Sequence, residues 1–244
     1  MTNHTTTPTK RPRVLLKLSG EQFAGEGGYG IDPSLVEKFA EEIKVAVAAT
    51  NAEIVVVAGG GNIMRGATVK GSKIELVTGH YMGMLAGVLN GLAFADILNS
   101  SGVSTRLVSR LHIGTMVEPL VRETAVSHLE HGEVVLVVGG SGLPYVTHDT
   151  AAVTAALELG CSVVLKGTNV DGIYDKDPRK HPDAKRHDSI GHYHVLTDPN
   201  IEVMDNPAMS IAMENHLPII VFDLLTSGNI RRVIQGEAIG TRVE

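Results

Sequence analysis

Six short runs of aliphatic and β-branched residues are separated along the chain by segments of helical periodicity, and that alternation restricts the fold more than any other feature. The runs are Val14–Leu18, Ile54–Val57, Thr105–Val108, Val134–Val138, Val163–Lys166 and Ile219–Phe222. Several are apolar without interruption, as strands covered on both faces are. Pro33–Ala49 predicts a helix: Asp32 can cap it, Pro33 suits its first turn, and apolar residues recur at Leu35, Val36, Phe39, Ile43 and Val47. Ile74–Leu98 predicts a long apolar helix, and Pro119–Leu129, Thr150–Leu159 and Ser227–Ile234 predict three more. Strands alternating with helices imply an α/β fold, an αβα sandwich around a mostly parallel central sheet. Residues 1–12 read as a flexible polar tail and 13–244 as a single domain. Within it Asp171–Pro207, charged and rich in His, Asp and Pro, reads as an excursion from the sheet, a lid or small lobe.

Composition removes several functional classes. A formal net charge of −6 argues against a general polyanion-binding surface. Four Phe, five Tyr and no Trp leave few platforms for stacking single-stranded nucleic acid. The single cysteine, Cys161, excludes an internal disulfide and fits a reducing compartment. No apolar run approaches the roughly 18 residues of a membrane span, and the polar "MTNHTTTPTKRPR" start lacks the apolar segment of a signal peptide. The expectation is a soluble cytoplasmic protein with neither nucleic-acid nor membrane partners.

In open parallel sheets ligands bind beyond the carboxyl ends of the strands. The segments expected there are "KLSGE" (Lys17–Glu21), "AGGGNIMRG" (Ala58–Gly66), "GGSGLPYVTHDTAA" (Gly139–Ala152) and "KGTNVDGIYDKDP" (Lys166–Pro178). They bring glycines to one edge beside Lys17, Arg65, Asp149 and Lys166. "GEQFAGEG" has the glycine spacing of a Walker A loop without its Lys-Ser/Thr ending. Neither Gly59–Met64 nor Gly140–Tyr145 completes the dinucleotide fingerprint. What remains is a cationic, glycine-lined cleft with one acid at a helix start, where free N–H groups favour an anion. Phosphoryl transfer suits those parts because it demands positioning and charge neutralisation. Lys17 and Lys166 can neutralise the transferred group, and Asp149 can hold a lysine or Mg²⁺. An acceptor that is itself a phosphate needs no general base.

"LLKLSGE", "GGGNIMRG", "MGMLAGVLNGLA", "VTHDTAA", "KGTNVDGIYDKDP" and "LPIIVF", in that order between Arg13 and Val243, resemble the bacterial uridylate (UMP) kinases of the amino-acid-kinase superfamily. The resemblance implies transfer of the ATP γ-phosphate to UMP, with Mg²⁺ entering with ATP and no dedicated protein metal site. It also implies a homohexamer, a place in pyrimidine nucleotide synthesis, GTP activation and UTP inhibition. By position, Lys17 and Asp149 match the catalytic lysine and its organising aspartate. Lys17, Leu18, Ser19, Gly20, Gly61 and Arg65 match the ATP-phosphate contacts, and Thr168, Tyr174 and Asp177 the adenosine contacts. Gly60, His80 and the loop Ser141, Gly142, Leu143, Pro144, Tyr145, Val146, Thr147 and His148 match the UMP site. Gly25, Glu26, Gly27, Gly28, Tyr29 and Gly30 match the GTP loop.

Two departures fall on the acceptor side. The family usually has an acid at the position of His80, where it holds the UMP ribose, and Thr or Ser at that of His148, in a loop that contacts uracil. They leave open a kinase with another acceptor, or a nucleotide-binding regulator without catalysis. Structural readings stand beside the chemical ones. Lys17 can be a surface lysine, Asp149 an N-cap for a helix starting at Thr150, and Arg65 the partner of a nearby carboxylate. His192 and His194 in a strand, or His128 and His131 in a helix, would share a face; with no third ligand, both pairs read as solvated. Met82 and Met84 read as core or subunit interface.

Overall fold

A computed structural model describes residues 11–201 and 203–244. Of the tail expected at 1–12, residues 1–10 lie outside the described residues. Arg11 and Pro12 are anchored: the Arg11 guanidinium donates to Glu130 O at 2.6 Å and the Pro12 carbonyl accepts from Glu53 N at 2.8 Å. The strands are β1 (Arg13–Leu18), β2 (Glu53–Ala58), β3 (Thr105–Ser109), β4 (Glu118–Pro119), β5 (Val134–Val138), β6 (Val164–Thr168), β7 (Ser189–Ile190), β8 (Ile219–Asp223) and β9 (Thr241–Val243). They form one sheet in the order β4-β3-β5-β2-β1-β6-β8-β9-β7. Every pairing is parallel except that of β8 with β9. The helices are α1 (Pro33–Ala49), α2 (Leu76–Ser100), α3 (Arg122–Glu130), α4 (His148–Leu159), α5 (His192–Thr197), α6 (Asn206–Glu214) and α7 (Asn229–Ile234).

Two apolar clusters sandwich the sheet. Leu16, Leu18, Val56 and Ala58 face a layer of α1, α2 and α7, through Phe39, Phe94 and Val233. Leu15, Val55 and Val57 face α3 to α6, through Leu129, Val153, Val195 and Met209. Strand parity therefore assigns Lys17 and Lys166 to the second face, toward α4.

Helix α2 is long and apolar enough to cross a bilayer by length and composition, which revises the expectation that no segment approaches that size. Half of its apolar window is buried within the protein, as in a core helix. Gly79, Gly83, Gly87 and Gly91, spaced by four, give it one nearly flat side. A Cβ at Gly91 would stand 2.3 Å from Val138 Cγ1, and one at Gly79 2.5 Å from Val69 Cγ2.

Boundaries moved where local chemistry outweighs periodicity. The helix expected over Pro119–Leu129 is divided: Glu118–Pro119 forms an edge strand, where proline's missing N–H costs no ladder bond, and the helix starts at Arg122. Helix α4 starts at His148 because the Thr147 hydroxyl accepts from Asp149 N at 2.9 Å, so Asp149 is not its cap. Helix α7 starts at Asn229, after Gly228 in the left-handed region at φ 85°. The segment Asp171–Pro207 is partly woven into the fold: β7 pairs with β9, and α5 packs on α6. His192 and His194 consequently sit on α5, not on a strand. His192 is buried, its Nε2 3.0 Å from Leu217 O, which overturns its reading as solvated. His128 is half-buried, with Nδ1 2.6 Å from Glu133 Oε2.

Candidate active site

Strand register creates the centre of the site. Lys17 on β1 and Lys166 on β6, 149 residues apart in sequence, are direct partners across the parallel pair. Two lysines side by side repel unless an anion lies between them. Asp149, in the first turn of α4, supplies it: Lys17 Nζ is 2.7 Å from its Oδ1 and Lys166 Nζ 3.0 Å from its Oδ2. All three side chains are nearly out of water. Burial raises the Asp149 carboxyl, but the two ammonium groups outweigh burial and hold it below the ordinary carboxylate range. Burial lowers Lys166 from its ordinary value, with Asp149 opposing the shift. The positive end of α4 adds to the cationic field. The cluster carries two positive charges and one negative, arranged around space.

Two cavities flank that cluster. The first, about 410 Å³, is lined by Lys17, Ser19, Gly20, Gly60, Gly61 and Arg65, and by His80, Tyr145, Val146, Thr147, His148 and Asp149. The second, about 390 Å³, is lined by Lys166 with Thr168, Tyr174 and Asp177. The positions read as phosphate and acceptor contacts thus share one cavity, and the three read as adenosine contacts share the other. Leu18 is the exception on the donor side: its side chain lies in the core against the α1–α2 layer, leaving only its backbone to the site. Gly142, Leu143 and Pro144 line neither cavity, and Ser141 borders a separate hollow with Arg110 and His112. None of Gly25 to Gly30 lines either cavity.

The glycine triplet is required for close approach. A Cβ on Gly60 would stand 2.5 Å from Gly87 N and 2.7 Å from Gly83 O, inside the backbone of α2. One on Gly20 would meet Gly59 O at 2.6 Å, so the first two phosphate-side loops touch backbone to backbone. Arg65 pairs with Glu21, the carboxylate alternative; Glu21 was not singled out from sequence.

The two departures have different surroundings. His148 turns its ring inward beneath the cavity, with Nε2 out of contact with solvent and without a protein partner. Burial first, and then the Lys17 charge, push its pKa down to about 4, against the weaker pull of Asp149. His148 is therefore uncharged across the neutral range and brings no positive charge to an anionic nucleotide there. His80 stays at the cavity wall, its ring centroid 5.0 Å from that of Tyr145.

Residues not named as site candidates complete the support. Asn62 and Asn90, both buried, exchange amide hydrogen bonds of 3.0 and 2.7 Å. Asn90 also donates to Gly59 O and Asn62 to Gly30 O, each at 2.7 Å. Asp205 accepts from Thr147 N at 3.0 Å and from the Thr150 hydroxyl while capping α6. The Val203 carbonyl accepts from Lys166 Nζ. Asn62 and Asn90 fall within the quoted "GGGNIMRG" and "MGMLAGVLNGLA" segments, but their mutual pairing and the reach of Asp205 to α4 carry no periodic signal.

This parallel αβα fold, with an acid-bridged lysine pair at the carboxyl edge of its sheet, defines a class: the chain belongs to the amino acid kinase family, whose profile matches residues 12–223. It is 44% identical over 238 residues to a protein named uridylate kinase from Deinococcus radiodurans, covering 97% of this chain and 96% of that one. It is 46% identical over 232 residues to a uridylate kinase from Erythrobacter litoralis, covering 95% and 97%. Among solved structures, UMP kinase from Bacillus anthracis superposes with a TM-score of 0.90 at 33% identity, covering 96% of this chain and 97% of that one.

Proposed function

We propose that the chain transfers the γ-phosphate of ATP to UMP, forming ADP and UDP. The observation that carries the reading is Asp149 bridging Lys17 and Lys166 between the two cavities. The second cavity takes the nucleoside of ATP, against Thr168, Tyr174 and Asp177. Its phosphates then run along the sheet edge past Ser19, Gly20 and Gly61 toward Lys17. UMP occupies the first cavity with its phosphate toward the lysines. As charge spreads over the transferred group, Lys17 and Lys166 neutralise it, while Asp149 keeps both ammonium groups aimed and limits their mutual repulsion. The UMP phosphate is the nucleophile and is already anionic, so no side chain need remove a proton.

Mg²⁺ enters with ATP, where it would neutralise phosphate charge and align the transferred group. Both Asp149 oxygens face lysines, which suits a metal carried chiefly by the phosphates. With Lys17 and Asp149 both in place, the catalytic reading is preferred to a regulator without turnover. A coupled ADP-release assay with UMP, CMP, dUMP, GMP and AMP tests it: UMP is expected to be turned over and purines to be rejected. No turnover with any of the five would sink the reading.

We propose further a cellular setting and regulation: cytoplasmic pyrimidine nucleotide biosynthesis, activation by GTP at Gly25–Gly30 and inhibition by UTP. The hydrogen bond from Asn62 to Gly30 O offers the GTP loop a route to the phosphate side, and UTP shares its base with the acceptor. A homohexamer is proposed because α2 leaves Tyr81, Met82, Leu85 and Leu89 exposed on one helix, a surface a second copy would cover.

A further inference from the structure

Three features meet at the acceptor end of the first cavity. The first is a conformation: Tyr145 has φ 69°, in the left-handed region that side chains other than glycine rarely adopt. Its neighbours Gly139, Gly140 and Gly142 also have positive φ, at 79°, 58° and 74°, so the loop is built to present this one strained side chain. The second is a contact. Tyr145 is 65% exposed at the cavity mouth, and its ring meets the His80 ring from α2 at 5.0 Å between centroids and 53° between planes. An exposed aromatic ring buries its face when a flat partner covers it. The third concerns charge. Among the described residues lining this cavity the carboxylates are Glu21 and Asp149; Arg65 engages one and the two lysines the other. Among the described residues no unengaged carboxylate lines the cavity to accept a sugar hydroxyl.

We propose that the His80–Tyr145 ring pair is the nucleoside wall of the acceptor site, and that it holds the base by ring contact while leaving the 2′-hydroxyl unread. The acceptor class is then uridine and 2′-deoxyuridine monophosphates together. The inference rests on the UMP-kinase reading above and sharpens its acceptor side. A site that pairs a buried charged group with a substrate hydroxyl rejects the analogue lacking it by roughly 10⁴-fold, because that group is left unpaired. A ring at a cavity mouth can return its hydrogen bond to water, which limits discrimination to about tenfold.

The test is steady-state kinetics with ATP and either UMP or dUMP, on the wild type, His80→Asp, Tyr145→Ala and Tyr145→Gly. In the wild type, kcat/KM for UMP is expected to exceed that for dUMP by less than about thirtyfold. His80→Asp is expected to widen the ratio at least about tenfold, by supplying a charged acceptor for the sugar. Loss of the Tyr145 ring is expected to raise KM roughly tenfold for both acceptors alike, as removal of a base-stacking ring does, and to leave KM for ATP unchanged. Tyr145→Gly relieves the positive φ, so its effect on KM cannot be laid on a damaged fold. A wild-type preference above about thirtyfold, a ratio unmoved by His80→Asp, or an unchanged acceptor KM in both Tyr145 variants overturns the proposal. Absence of wild-type turnover with UMP itself would instead remove the kinase reading beneath it.

Discussion

At the residue scale, three charges and one uncharged ring determine behaviour. Lys17→Ala removes a preorganised cation from the transferred group and is expected to lower kcat by ~10²–10³ while the protein stays folded, checked by turnover and circular dichroism side by side. Asp149→Asn does more, because Lys17 and Lys166 then face each other without an anion. It is expected to lose comparable turnover and about 3 kcal/mol of stability, as when one partner of a buried pair is deleted. His148 makes a pH prediction. Its pKa is about 4 in the folded protein against an ordinary value of 6.5, so the unfolded chain takes up the proton first. Its contribution is therefore complete above pH 6.5 and is lost as pH falls toward 4, by up to about 3 kcal/mol. The depressed Asp149 carboxyl acts in the same direction at lower pH, below the ordinary carboxylate value. Urea melts of wild type and His148→Thr between pH 7.5 and 4.5 separate the two. The wild type should lose stability over that window and His148→Thr should lose much less; parallel curves would place His148 in contact with water.

At the scale of elements, the site depends on how α2 lies across the phosphate loop. The two backbones lie so close that a Cβ on Gly60 would stand 2.5 Å from Gly87 N of α2. The Asn62–Asn90 pair then locks the loop to the helix, with Asn90 donating to Gly59 O. Asn90→Leu keeps approximate volume but leaves the Gly59 carbonyl and the Asn62 Oδ1 without their donor, each costing about 1–3 kcal/mol, while Asn62 keeps its bond to Gly30 O. The expected result is a lower melting temperature together with a raised KM for ATP. Destabilisation with ATP use unaltered would show that the pair supports α2 alone.

For the whole molecule, the question is what covers α2. Leu85 and Leu89 are 48% and 51% exposed, while the same helix presents Phe94 and Leu98 to the core. One helix is asked to bury two faces, and the described chain covers one. Light scattering after gel filtration is expected to show an oligomer, and a Leu85→Glu/Leu89→Glu variant a smaller species with its secondary structure retained. An unchanged mass in that variant would move the interface elsewhere.

Sequence by itself determined the layered α/β plan, because periods of two and 3.6 are local properties and each of the six major strands was visible from its own residues. It also placed Lys17, Arg65, Asp149 and Lys166 at one sheet edge, since strand ends in a parallel sheet share a side. Tertiary structure alone decided which groups meet. The pairing of Lys17 with Lys166 comes from register between strands 149 residues apart, which no local window encodes. The short strands β4, β7 and β9 exist through their neighbours, at two or three residues each. The two acceptor-side histidines line the same cavity and differ in what surrounds their rings: the His148 Nε2 is out of solvent near Lys17, which with desolvation pushes its pKa down to about 4, while His80 packs beside Tyr145.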